Sequence, residues 1–106
     1  MSDAAPSNLI ILYGRPDCPM TPPVRRMMTR AKVAFEYIDI WADAAARERV
    51  MAINGGNESV PTVVFPDGRT LTEPPSNVLK KRLEAMGYVV PPPVWLQTIR
   101  RLLKRT

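Results

Sequence analysis

The sequence predicts an α/β fold: a mixed four-stranded sheet flanked by helices, followed by a C-terminal amphipathic helix. Three observations predict it. Two strand-like runs, 9–13 and 35–41, are separated by a helical pattern, which implies a parallel βαβ pair with a right-handed crossover. Two later strand-like runs are joined by Pro66-Asp67-Gly68-Arg69, a hairpin turn that implies an antiparallel pair. Beyond Pro91-Pro92-Pro93, apolar residues recur at helical spacing to the end of the chain.

Each element has its own warrant. Leu9 to Tyr13 is a continuous apolar run of strand length, suited to a buried central strand. Val24, Met27, Met28 and Ala31 mark one face of a helix over 22–32. Phe35, Tyr37, Asp39 and Trp41 alternate with Glu36, Ile38 and Ile40 in a second strand. Asp43 is a good N-cap for a helix running to Ile53, and Gly55-Gly56 ends it by accepting the left-handed conformation. Residues 60–65 form a third strand and 70–72 a short fourth. Ser76 is placed to cap a helix over 77–86, which Gly87 terminates. The expected organisation is a domain over 8–87, a Pro-rich linker over 88–93 and a basic amphipathic helix over 94–106.

Composition narrows the function. At 106 residues the chain holds one core. It has no run of about 20 apolar residues, the length a spanning helix needs. Met1 to Ser7 is small and polar and lacks the pattern of a secretory signal. With one cysteine and no histidine, histidine acid-base chemistry and a zinc site within one chain are excluded, and a reducing cytoplasm is the expected location. The net charge of +5 is uneven. Residues 1–73 carry 8 Lys/Arg against 9 Asp/Glu, whereas 74–106 carry 7 Lys/Arg against Glu84 alone.

Cys18 is the candidate reactive group. It follows the first strand in a Pro-rich loop and precedes the first helix, where the positive helix end favours thiolate over thiol. A lone cysteine cannot close an internal disulfide, so any redox cycle through it needs a sulfur from outside the chain.

With this element order, the chain resembles the glutaredoxin branch of the thioredoxin fold. The residues that carry the likeness are Leu-Tyr-Gly-Arg-Pro-Asp-Cys-Pro (12–19), Phe-Glu-Tyr-Ile-Asp-Ile (35–40) and Ser-Val-Pro-Thr-Val-Val-Phe (59–65). The stretch from Asn54-Gly55-Gly56-Asn57 through Pro66-Asp67-Gly68 to Leu71-Thr72 is similar to the mycoredoxin-like bacterial subgroup. The resemblance implies Cys18 as nucleophile and a small-thiol site at Arg15, Pro19, Val60 and Pro61, with Pro61 cis and the Val60 backbone turned toward the thiol. Thr21 is a candidate hydrogen-bond donor to the thiolate or, equally, an N-cap of the first helix. Thr72 and Ser76 complete the candidate thiol site, Ser76 through the helix N-terminus it opens. Glutathione or mycothiol is the implied cofactor, with no metal.

Two departures shape the expectation. Thr21 stands where dithiol relatives carry a second cysteine, so only a monothiol route through the Cys-Pro-Met-Thr site remains. Pro22-Pro23 disfavours helix at Thr21 and Pro22, so the first helix is expected to start near 22–24, with Cys18 several residues ahead of it. The dipole's help then weakens, and Arg15, Arg25 and Arg26 are left to compensate. A third difference is Leu71-Thr72-Glu73-Pro74-Pro75, where many relatives place Gly-Gly and an acidic residue.

The resulting functional expectation is a monothiol thiol-disulfide oxidoreductase, weak in turnover, that reduces mixed disulfides of proteins or small molecules with a low-molecular-weight thiol. The alternatives are a dimeric iron–sulfur cluster carrier ligated by Cys18 and a catalytically weak binding protein of the same fold. Trp95, Leu96, Ile99, Leu102 and Leu103 fall on one face of the last helix and Arg100, Arg101, Lys104 and Arg105 on the other. Docking of this helix onto the domain is the favoured expectation, then pairing with another copy or a partner protein, then contact with an anionic membrane. Nucleic acid is not expected.

Overall fold

The computed structural model describes residues 9–104; Met1 to Ser7 and Arg105 lie outside the described residues. The elements follow the order β1 (Ile10–Gly14), α1 (Thr21–Arg30), β2 (Phe35–Asp39), α2 (Ala44–Ile53), β3 (Thr62–Val64), β4 (Thr70–Thr72), α3 (Ser76–Ala85) and α4 (Val94–Lys104). The four strands form one mixed sheet in the order β2-β1-β3-β4, with β1 and β2 parallel and the other two pairings antiparallel.

The period of two in β1 divides the core. Ile10 and Leu12 pack with Val24, Met27 and Met28 of α1 and Leu79 and Leu83 of α3 on one face. Tyr13 packs with Ala46 and Val50 of α2 on the other, together with Ile40, Val60 and Cys18. Full burial of a side chain such as Leu79, Leu83 or Met28 contributes about 1.5–3 kcal/mol. Tyr88 and Val90 join the first cluster, so the packed core extends past Gly87 into the Pro-rich stretch.

Several local expectations are met. The Asp43 carboxylate accepts from the Ala46 amide at 3.0 Å and caps α2. Gly68 turns the hairpin at φ +90° and Gly87 ends α3 at φ +99°. Met27 and Met28 of the expected helix face are buried, whereas Met20 and Met86 are exposed.

Three local expectations are corrected. First, α1 begins at Thr21 despite Pro22-Pro23, with Met20 at the cap. The first-turn amides have no partners within a helix, so prolines there forfeit no hydrogen bond, and burial of Thr21 fixes the turn. Second, Ser76 is the first residue of α3 rather than its cap; Pro75 takes the cap position without a side-chain bond. Third, α4 does not seat its apolar face on the domain: Trp95 is 64% exposed and Leu102 58%. Its tether is the segment before it, where the Arg30 Nε donates to the Pro91 carbonyl at 3.3 Å.

Candidate active site

The parallel pair β1–β2 and the antiparallel β3 bring four segments to one end of the sheet. These are the loop after β1 (Arg15 to Met20), the turn after β2 (Ile40 and Trp41), the approach to β3 (Val60-Pro61) and the end of β4 (Thr72 and Glu73). The carboxyl ends of parallel strands, where a sheet changes direction, are the usual location of ligand sites in open α/β folds.

Cys18 sits at the centre of this end. Its backbone N–H donates to the Arg15 carbonyl at 3.3 Å, and its own carbonyl accepts from the Thr21 amide at 3.4 Å. The thiol points inward and is 7% exposed. Its Sγ donates to the Val60 carbonyl at 3.6 Å. The Val60-Pro61 peptide is cis, as the family resemblance implied. The Pro61 carbonyl accepts from the Glu73 amide at 2.7 Å, which fastens this segment to the end of β4. Among the described residues the Val60 N–H has no hydrogen-bond partner.

The helix end beside Cys18 is poor in donors. Pro22 and Pro23 have no N–H, and the Thr21 amide is already bonded to Cys18 itself. Cys18 lies two residues before the Met20 cap, nearer the helix than the sequence suggested, yet this end offers few amides to a sulfur anion.

Thr21 is 3% exposed, and its hydroxyl has no hydrogen-bond partner among the described residues. An unpaired buried hydroxyl costs stability. Replacing Thr21 by valine, its apolar isostere, is therefore expected to raise stability by about 1 kcal/mol, as read by chemical denaturation. A fall in turnover by the same variant would show that the hydroxyl serves the reacting sulfur.

The remaining candidates divide. Arg15 does not reach Cys18 by a hydrogen bond. Its Nε lies 3.2 Å from Asp17 Oδ1, and its guanidinium stands 5.6 Å from the Trp41 ring centre. Pro19 is exposed on the loop turn. The Thr72 hydroxyl donates to Asn54 Oδ1 at 2.6 Å, while Asn54 Nδ2 donates to the Val50 carbonyl and to Thr62 Oγ1. Asn54 thus ties the end of α2 to β3 and β4, a role the sequence did not announce. Ser76 is exposed and lines a groove between α1, α3 and the C-terminal segment instead of touching Cys18.

Tyr37 and Gly14 were missed. Tyr37 lies close enough to Cys18 to feel its charge, and the Arg25 guanidinium stacks 4.2 Å from its ring centre. Burial pushes the Tyr37 phenol above the ordinary tyrosine range; Asp39 and a Cys18 thiolate push it the same way, and Arg25 opposes them. The phenol therefore stays neutral at physiological pH. A raised folded value means that stability is intact below the ordinary tyrosine range and declines as pH rises through it. Since Arg25 opposes the shift, Arg25→Ala is expected to move the Tyr37 titration to still higher pH in an alkaline ultraviolet titration. A downward move would contradict this geometry.

The glutaredoxin family model matches residues 10–70, the span from β1 into β4. The chain belongs to the glutaredoxin family. Two Mycobacterium tuberculosis chains that carry a glutaredoxin name are 42% identical over 60 residues, 57% of this chain and 71% of theirs. The thioredoxin-like protein BC3987 superposes with a TM-score of 0.61 at 35% identity, covering 68% of this chain and 96% of its own. A glutaredoxin of Archaeoglobus fulgidus gives 0.60 at 28% identity, covering 70% and 84%. Glutaredoxins act on thiols and disulfides with glutathione-type thiols. Among the described residues no cluster of three metal-ligating side chains occurs, and no helix is long and apolar enough to cross a membrane.

Proposed function

We propose that this chain is a monothiol oxidoreductase that reduces mixed disulfides with a low-molecular-weight thiol through Cys18, in the cytoplasm. The observation that carries the proposal is the position of the single cysteine, held 3.6 Å from the Val60 carbonyl in a family whose chemistry is thiol–disulfide exchange.

In the first step the Cys18 thiolate attacks the small-thiol sulfur of a mixed disulfide. A Cys18–small-thiol disulfide forms, and the substrate leaves as a thiolate that takes a proton from solvent. In the second step the thiolate of another small thiol attacks the sulfur bound to Cys18. That forms the small-thiol disulfide and returns the Cys18 thiolate. Thr21 has no sulfur with which to intercept the first intermediate, so the second thiol must come from solution.

The Val60 N–H and carbonyl supply a donor and an acceptor beside Cys18, the pairing an extended peptide-like thiol uses when it lies against a strand end. Arg15 over Trp41 borders the same end and offers positive charge to a carboxylate of that thiol. In this reading the small thiol lies between the Cys18 loop with Pro19, the Val60-Pro61 peptide and Thr72, which β4 brings to the same end of the sheet. Ser76 would act only through the amino end of α3.

The test is turnover of a small mixed disulfide with glutathione and mycothiol as alternative reductants. Turnover with one and not the other is the expected result, and it names the thiol. Failure with both would contradict the proposal.

A further inference from the structure

The C-terminal helix α4 is amphipathic, exposed and uniformly basic, and the glutaredoxin family match ends at residue 70, before it begins. BC3987 is covered to 96% by only 68% of this chain, so this chain carries sequence that BC3987 lacks.

At about 100° per residue, Trp95, Ile99 and Leu102 fall within an arc of about 60°. Arg100 and Arg101 stand on either side, each about 100° beyond an edge of that arc. All three apolar residues are exposed: Trp95 64%, Ile99 45% and Leu102 58%. Residues 94–106 contain four Lys/Arg and no Asp or Glu.

The domain face beneath the helix has the same sign. The groove between α1, α3 and the C-terminal segment, about 1200 Å³, carries Arg25, Arg26, Arg30 and Arg100 beside apolar Met27 and Val90, while its Lys80 is paired with Glu84 at 2.7 Å. Closing α4 onto this face would bring Arg100 toward Arg25, Arg26 and Arg30, and that repulsion opposes docking. The same repulsion opposes pairing of two copies through this helix. A partner protein would need polar contacts to fix its register, yet apart from the Trp95 indole N–H the apolar arc holds no hydrogen-bonding side chain. A lipid surface needs only apolar area, positive flanks and an aromatic residue at the water boundary.

We propose that α4 lies on the surface of an anionic phospholipid bilayer, with Trp95, Ile99 and Leu102 inserted among the acyl chains. Arg100 and Arg101 contact the headgroups, and the basic groove adds to the attraction. The helix holds the redox domain at the membrane without spanning it. This does not depend on the reaction proposed for Cys18.

The test is flotation of the full chain with vesicles of equal parts phosphatidylglycerol and phosphatidylcholine, against phosphatidylcholine alone. Binding to the first and not the second is expected, and raised salt should release it. Each basic residue near an anionic surface is worth about five-fold in binding, so Arg100→Glu/Arg101→Glu is expected to weaken it roughly twenty-fold or more. Trp95→Ser should weaken it with the charge unchanged. Near-ultraviolet circular dichroism shows that each variant keeps its fold. Equal binding to both vesicles, no binding to the anionic ones, or no effect of the arginine reversal would overturn the proposal. A lipid-free dimer that Trp95→Ser dissociates would also overturn it, by giving the face to a second copy.

Discussion

Replacing Cys18 with serine is expected to lower disulfide turnover at least about a thousand-fold. A hydroxyl is a far weaker nucleophile at neutral pH than a thiol, of which a few per cent is already thiolate. No second cysteine exists to take over. The fold should survive. Serine is smaller than cysteine, the thiol makes one long hydrogen bond to the Val60 carbonyl at 3.6 Å, and a hydroxyl can donate to the same acceptor. Loss of activity at near-native melting temperature is the expected signature. Residual turnover near the wild-type rate would place the chemistry elsewhere.

Gly14→Ala is the second change with a large expected effect. Gly14 ends β1 directly beneath the first turn of α1. A Cβ added there would stand 2.7 Å from Thr21 Cγ2 and 2.8 Å from Tyr37 Cε1. Neither neighbour yields easily. Thr21 is β-branched, buried and short, and Tyr37 is a rigid ring held between the sheet and Arg25. The helix end, the ring or both must shift, at a cost of about 1–3 kcal/mol, and Cys18 should move with the helix end. Thr21→Ser in the same chain removes one of the two clashing atoms and should restore part of the loss, as read by denaturant midpoints. No loss in the single variant would mean that Gly14 is not the close contact this packing requires.

These two sites show what the sequence could and could not tell. Cys18 was legible because its chemistry is local: one thiol, after an apolar run, before a helical pattern. The β1–α1–β2 unit and the Pro66 to Arg69 hairpin were legible because period and turn residues act over short range. Gly14 was not legible as a packing site, because what demands glycine there is the approach of Thr21 and Tyr37 from two other elements. Tyr37 read as one more alternating strand residue; its proximity to Cys18 depends on the parallel register that pairs Gly14 with Asp39. Asn54 stood only within the stretch that carries the family likeness, and its bonds to Thr62 and Thr72 appear only when β3 and β4 pair.

The misplaced starts of α1 and α3 have different causes. For α1 the backbone bias of Pro22-Pro23 was outweighed, and Thr21 is buried as the first helical residue. For α3 the cap was assigned from the Ser76 side chain, whereas Pro75 takes the cap position. For α4 the period was correct and the docking was not. Periodicity reports which face is apolar; it carries no information on the surface that face would meet, here one that presents Arg25, Arg26 and Arg30.

Intact-mass measurement shows whether Cys18 carries the small thiol during turnover. The full chain, incubated with oxidised small thiol and quenched in acid, should gain the mass of one thiol less two hydrogens. Excess reduced thiol should remove it, and Cys18→Ser should never acquire it. A chain that turns over without this adduct would contradict the account, as would a wild-type chain that cannot be loaded by either glutathione or mycothiol.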